Sequence, residues 1–350
     1  MDLTKYGLYT ALAIVTYLML LQWQEDYPPT IDDGSSSRVE IPQIPNAQNG
    51  TQAGDDLPSD IPVGAPEVII SDASDTPTVA AVSNPSAAGT TNTEDLISIR
   101  TDTFDIRIDP VGGDIVHLAL PLYLKQIDIA DDPFVLLDNQ SGREYIAQSG
   151  LIGANGVDSD GRAIYSATST SYSMSESSDS LNVDLTTTTA DGVEVIKRYG
   201  FSRSSYLIDI SFIVNNRSTE NWQANAFGQI KRDAFDDPSD AGGFGRTYLG
   251  FVTTMADDPY IEIEFDDIDD SGSDTIETTG GWVAFSQHYF ITAWVPDAES
   301  LNRMTTRKSG NNQYYGEFTS SAFQVNAGET GNHSIQYYAG PKDQYVLRDI

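Results

Sequence analysis

Leu207-Ile208-Asp209-Ile210-Ser211-Phe212-Ile213-Val214 is the stretch on which the fold turns. Ile208, Ile210, Phe212 and Val214 fall on one side of an extended chain, and a sustained period of two marks a strand with one buried face. At about 3.6 residues per turn a helix would spread the same side chains around its cylinder. Working outward, the alternation recurs. Phe104, Ile106 and Ile108 share a face, as do Val116, Leu118 and Leu120, then Leu181, Val183 and Leu185. Ile261, Ile263 and Phe265 alternate with Glu262 and Glu264. Asn155-Gly156, Asp191-Gly192 and Gly-Gly pairs punctuate the runs as turn signals. A helical period is hard to find before residue 340. From about Asp95 onward the chain therefore predicts a mainly β fold, one large antiparallel sandwich.

Upstream the character changes twice. Tyr6 to Trp23 carries no charge, is preceded by Lys5 and is followed by Glu25 and Asp26. As a helix it would span roughly 27 Å, close to a bilayer core. Tyr6 and Trp23 stand where interfacial aromatics belong, and Lys5 favours a cytoplasmic N-terminus. A cleaved signal peptide is the competing reading, but no small-x-small site occurs between Met19 and Tyr27. Residues 1–24 are thus expected to form an uncleaved transmembrane anchor. Residues 25–94 hold nine of the sixteen prolines and one basic residue, Arg38, among many Ser, Thr, Asn, Asp and Gly. Such a segment cannot bury enough apolar surface to offset its ordering entropy, and it predicts an acidic disordered linker. Residues 95–350 are the expected folded domain.

Composition excludes several classes of function. The 350 residues include 52 acidic against 19 basic side chains, a net charge of -33. That surface repels phosphate backbones and argues against nucleic-acid binding. It reads as a solvated acidic surface suited to salty surroundings, or as one matched to a basic partner. There are no cysteines, hence no disulfide, thiol nucleophile or thiolate metal site.

Candidate chemistry is sparse. His117, His288 and His333 stand in no spaced metal motif. A histidine paired with a carboxylate in a sugar-lined cleft would be needed for an epimerase; ordinary histidines are the simpler reading. Asp267-Ile268-Asp269-Asp270-Ser271-Gly272 imitates the start of a calcium loop, but Thr278 stands where the closing glutamate belongs, so a solvated loop is expected. Nucleophile elbow, Walker loop and dinucleotide fingerprint are all absent, and beside Gly242-Gly243-Phe244-Gly245 no basic residue sits at a helix start to hold phosphate; Arg246 alone is poor evidence. No catalytic residue, cofactor or metal is predicted.

Two stretches carry a resemblance. One is Gly280-Gly281-Trp282-Val283-Ala284-Phe285-Ser286-Gln287-His288-Tyr289-Phe290, continuing Ile291-Thr292-Ala293-Trp294-Val295-Pro296; the other is Thr103-Phe104-Asp105-Ile106 leading to Gly112-Gly113-Asp114-Ile115. Tyr145-Ile146-Ala147-Gln148-Ser149-Gly150-Leu151, Phe227-Gly228-Gln229 and Gly340-Pro341-Lys342 support them in order and spacing. The pattern resembles the YidC membrane-protein insertase family of Gram-negative bacteria, in its anchor, tether and periplasmic domain. The resemblance implies a β-supersandwich similar to galactose mutarotase, closed by a short C-terminal helix. It implies a place in the bacterial inner membrane, the main domain periplasmic, and a role in inserting and folding inner-membrane proteins with or without the Sec translocon. Implied partners are SecF, SecD, SecY, nascent inner-membrane proteins and the lipid bilayer, with the SecF contact aligning roughly with Ser218 to Asp266.

The sequence departs from that family in two ways. Members continue past the point equivalent to Ile350 into further transmembrane helices around a buried arginine, so a fragment or truncated gene product is expected here. Between Asp257 and Asp274 this chain has carboxylates and no basic residue, where members often carry lysine. Gly112, Gly113, Gly228, Gly280, Gly281, Trp282, Tyr289, Phe290, Trp294 and Pro296 are read as architecture. Trp282 and Trp294 are expected as core anchors, with Val283, Phe285, Tyr289, Phe290, Ala293 and Val295 around them. A membrane-anchored carbohydrate-binding or aldose-epimerase-like protein is the alternative reading.

Overall fold

A computed structural model describes residues 57–58, 96–126, 129, 131–140, 142–235, 248–254, 258–309 and 312–347, without the side chains of 345 and 346. The chain divides into Met1–Thr51 and Gln52–Ile350, and every described residue belongs to the second unit. The expected anchor and all but Leu57 and Pro58 of the expected linker lie outside the described residues. Among the described residues no helix is long and apolar enough to cross a membrane.

The fold is mainly β, built as two sheets. The larger has eleven strands among the described residues, running in the order Ser273–Thr279, Leu301–Ser309, Gln313–Ser320, Trp222–Asp233, Arg143–Ile152, Pro133–Gln140, Asp114–Leu124, Asp105–Asp109, Ile97–Arg100 and Ser171–Ser173, with Phe323–Val325 beside Trp222–Asp233. The second orders Ile261–Ile263, Gly250–Thr253, Val283–Ser286, Phe290–Val295, Thr330–Pro341, Leu207–Asn216, Val193–Ser202, Ser180–Thr188 and Ser166–Ala167. Pairing is antiparallel except between Ile97–Arg100 and Ser171–Ser173. Leu207–Asn216 lies between Val193–Ser202 and Thr330–Pro341, with Phe212 opposite Lys197 on one side and His333 on the other.

The predicted faces meet in one core. Ile106, Ile108, Leu118 and Leu120 of the larger sheet and Val183, Leu185, Ile208, Ile210, Phe212 and Val214 of the second are all fully buried in it. Edge-to-face ring pairs, Phe104 on Phe201 and Tyr145 on Phe285, cross between the layers at 6.4 and 5.5 Å. Aromatic pairs of this geometry add to the area they bury.

Four expectations are corrected. Val116 does not continue the core face of Leu118. A β-bulge shifts the register between Arg107 and Ile108, pairing them with His117 and Ile115, so Ile115 enters the core while Val116 is buried outside it. Phe265 does not extend a strand either: Ile261–Ile263 ends and a helix, Phe265–Ser271, begins. Asp267 accepts the backbone N–H of Glu264 at 2.8 Å, and Asp266 and Asp267 sit in the first turn where the helix dipole favours carboxylates. Asp267 to Ser271 is thus helix rather than loop, with Gly272 as its C-cap, and Asp269 accepts from Lys308 at 2.7 Å and from Tyr314 at 2.9 Å. Finally, Asn155-Gly156 lies in a long loop after Arg143–Ile152 rather than in a hairpin, whereas Asp191-Gly192 does close one, between Ser180–Thr188 and Val193–Ser202. The short C-terminal helix is present as Gln344–Leu347.

Candidate functional site

At its central strands, Arg143–Ile152, Trp222–Asp233 and Gln313–Ser320, the larger sheet is buried on both faces, and the face turned away from the core carries a polar row. Alternation along Trp222–Asp233 sends Ala224, Ala226 and Ile230 inward and Phe227, Gln229 and Lys231 outward. Register then aligns Gln229 with Gln148 on one neighbour and with Glu317 on the other. A connected row follows. Gln148 donates to Asp114 at 3.0 Å, Gln229 donates to Gln148 at 2.7 Å, and Arg307 donates to Gln229 at 3.4 Å. Arg307 also forks onto Glu317, Nε to Oε1 at 3.0 Å and Nη2 to Oε2 at 3.2 Å, while its guanidinium lies 4.0 Å over the Tyr315 ring. Asp114, Gln148, Gln229 and Glu317 are all buried. Each polar atom taken from water in this way needs a partner, and the row supplies them in sequence.

At the Asp114 end the row joins a clasp. Arg162, from the loop after Arg143–Ile152, bonds Asp114, pairs with fully buried Asp158 at 3.0 Å, and donates to the carbonyls of Gly112 and Ser149 at 3.2 and 3.0 Å. Asp158 in turn accepts the N–H groups of Leu151 and Ala163 at 2.9 and 3.1 Å. From the second sheet, fully buried Lys197 reaches across the core to the carbonyls of Gly112, Gly113 and Ser149 at 3.0, 2.9 and 2.8 Å. Tyr199 donates to Gly113 as well. Burial opposes the charge of Arg162, but Asp114 and Asp158 outweigh it and hold its pKa above the ordinary value. Lys197 touches carbonyls rather than carboxylates, and burial pulls it down to about 7. Burial raises Tyr165 and Tyr199.

The signature residues fall mostly into packing. Trp294 is fully buried between the sheets, against Tyr337 at 4.5 Å. Gly228 gives it room: a Cβ there would lie 2.6 Å from the indole and 2.5 Å from Phe318. Gly280 and Gly281, with φ of 67° and 83°, turn the chain from Ser273–Thr279 in one sheet to Val283–Ser286 in the other. Gly112 and Gly113 have positive φ and present their carbonyls to the clasp. Phe290 stacks on Phe134 at 4.4 Å, and Pro296 is buried.

Three signature-block expectations are corrected. Trp282 is half-buried against a smaller cluster formed by Ala284, Ile291, Ala293 and Tyr338, on the other side of the second sheet from Trp294. Tyr289 is 60% exposed, because it sits in the turn before Phe290–Val295 rather than on its inner face. Val295 is half-buried.

The histidines do not converge. His117 lies 3.6 Å from Asp138, and burial, with Arg107 nearby, lowers its pKa. His333 stacks on Phe323 at 4.9 Å and is lowered by burial, while His288 packs against Tyr289 at 4.1 Å. The cavities found beside Thr253, Ile263 and Met304 and beside Ile268, Arg307 and Lys308 are lined by no histidine. Among the described residues no group of acidic or histidine side chains is placed to hold a metal.

Residues 96–350 match the family described as the YidC periplasmic domain. The chain belongs to that family. It is 41% identical to the membrane protein insertase YidC of Ectopseudomonas mendocina over 99% of this chain and 61% of that protein. It is 40% identical to the insertase YidC of Pseudomonas syringae pv. syringae over 100% of this chain and 60% of that protein. The chain thus spans about 60% of the length of the curated relatives it matches. Among solved structures, a galactose mutarotase related enzyme from Lactobacillus acidophilus aligns at TM-score 0.44 and 13% identity, covering 70% of this chain and 97% of its own.

Reading the sequence alone missed the site's charged members Arg162, Lys197, Arg307 and Glu317, and took Asp158 only as the start of a weak calcium-loop imitation, Asp158-Ser159-Asp160-Gly161. Three of its other members were in view as motif residues. Asp114 follows Gly112-Gly113, and Gln148 and Gln229 stand in the two supporting fragments, which the fold places side by side.

Proposed function

We propose that this chain is the N-terminal anchor and periplasmic module of a membrane-protein insertase, assisting the insertion and folding of inner-membrane proteins with or without the Sec translocon. The observation that carries this reading is the identity of about 40% to insertases, which runs over the whole chain rather than the β-domain alone. It supports Tyr6 to Trp23 as the anchor, a cytoplasmic N-terminus and a periplasmic sandwich. The module's work is binding and positioning, not turnover. SecD, SecF and SecY are the proposed neighbours, with nascent inner-membrane proteins and the bilayer. Within Ser218 to Asp266, the strand Ile261–Ile263 is the edge of the second sheet among the described residues; Tyr248 accepts the Ile263 N–H at 2.7 Å, and the other outward backbone groups of such an edge are what a partner would pair with. Shutting off the gene in its host, and following a short-tailed inner-membrane client by protease protection, tests the reading. The client is expected to accumulate uninserted; insertion at the parental rate would contradict it.

A further inference from the structure

Arg307 also reaches a described residue outside the sheets. Besides its fork onto Glu317 and its bond to Gln229, Nη2 donates at 3.4 Å to the main-chain carbonyl of Leu57, 250 positions away in sequence. Leu57 is half-buried there and Pro58 is buried. The residue types suit such a seat. A residue before proline is kept out of the helical region, so its carbonyl is not drawn into a helix and stays available to an outside donor. Proline has no N–H, so burying it strands no backbone donor. On the receiving side, Arg307 is fixed before it binds, by two bonds to buried Glu317 and by the Tyr315 ring, so little side-chain freedom is left to lose. A guanidinium spent on one carboxylate still has N–H groups to offer a carbonyl.

We infer that the outer face of the larger sheet, at Arg307 and Tyr315, is a docking seat for a proline-containing segment, and that Leu57-Pro58 of this same chain is its resident occupant. The seat goes beyond the insertase reading, in which residues 25–94 are a plain spacer. It pins that segment to the domain in its middle. Any other segment that uses this face must displace the latch.

The chain has no cysteine, so two introduced ones can be labelled without background. Ser273 is exposed and stands directly opposite Arg307 in the register of their strands. Spin labels on Ser59→Cys and Ser273→Cys, read by double electron–electron resonance on the full chain in detergent, are expected to give one narrow short-distance peak. Leu57→Asp with Pro58→Asp lies outside both sheets and is expected to abolish that peak while leaving the circular dichroism spectrum unchanged. A broad distribution before the substitution would overturn the seat. A narrow peak that survives it would overturn Leu57-Pro58 as the occupant. Neither result depends on whether the chain acts in insertion.

Discussion

At the centre of the larger sheet both faces are buried, yet they are held by different physics. Its inner face is aliphatic and aromatic, and meets the second sheet through residues such as Ile106, Leu118 and Phe318. Its outer face carries Asp114, Gln148, Gln229 and Glu317, buried nearly as deeply but joined by hydrogen bonds and an ion pair. Apolar contacts are non-directional, so the inner face tolerates changes that conserve volume. A polar row is directional, so one missing member strands its neighbour.

The largest expected effect breaks the inner face. Trp294→Ala empties the space between Tyr337 and Phe318 and is expected to cost about 3–5 kcal/mol in urea unfolding. Gly228→Ala fills a space that does not exist, and about 1–3 kcal/mol is expected from overpacking against the same indole.

Lys197 sharpens the contrast, because it lies in the core yet serves the clasp. Its pKa is held at about 7 in the folded chain. In the unfolded chain it returns to the ordinary lysine value of about 10.4. Between those limits the unfolded chain binds more protons, so this group makes stability rise with pH across the window and fall as pH drops through it. Lys197→Met is expected to flatten the slope between pH 7.5 and pH 9.5, measured by chemical denaturation against the parent; an unchanged slope would refute the assignment. The same variant leaves the carbonyls of Gly112, Gly113 and Ser149 without this donor and is expected to lower stability by about 1–3 kcal/mol.

The smallest effect concerns the surface. With 52 acidic and 19 basic residues, like charges crowd the folded chain. Screening shortens from about 30 Å at 0.01 M salt to about 3 Å at 1 M. The melting temperature is expected to rise by a few degrees from low to high sodium chloride, and a flat or falling trend would contradict a repulsive surface.

The same contrast explains what could be read from the sequence. Alternation marked the inner faces of Asp105–Asp109, Ser180–Thr188 and Leu207–Asn216 because an apolar residue announces its own burial. It failed at Val116, where a bulge adds a residue without changing the local pattern. It failed again at Phe265, because a seven-residue helix is too short to show a period. The outer row was hidden for another reason. A buried glutamine looks like a surface glutamine until its partner is known, and Gln148 and Gln229 are 81 positions apart. Motif resemblance located them, but it also promoted Trp282 and Tyr289 to core positions that only Trp294 and Phe290 hold.

The outer face is one connected polar network rather than a row of separately tolerated polar residues. A double-mutant cycle on Arg307 and Glu317 tests it most directly, with side chains 14% and 4% exposed. Glu317→Ala alone leaves a poorly solvated guanidinium, and Arg307→Met alone leaves a buried carboxylate. Each single change is expected to cost about 3 kcal/mol, and the double change at least 1 kcal/mol less than their sum. Costs that simply add would contradict the network.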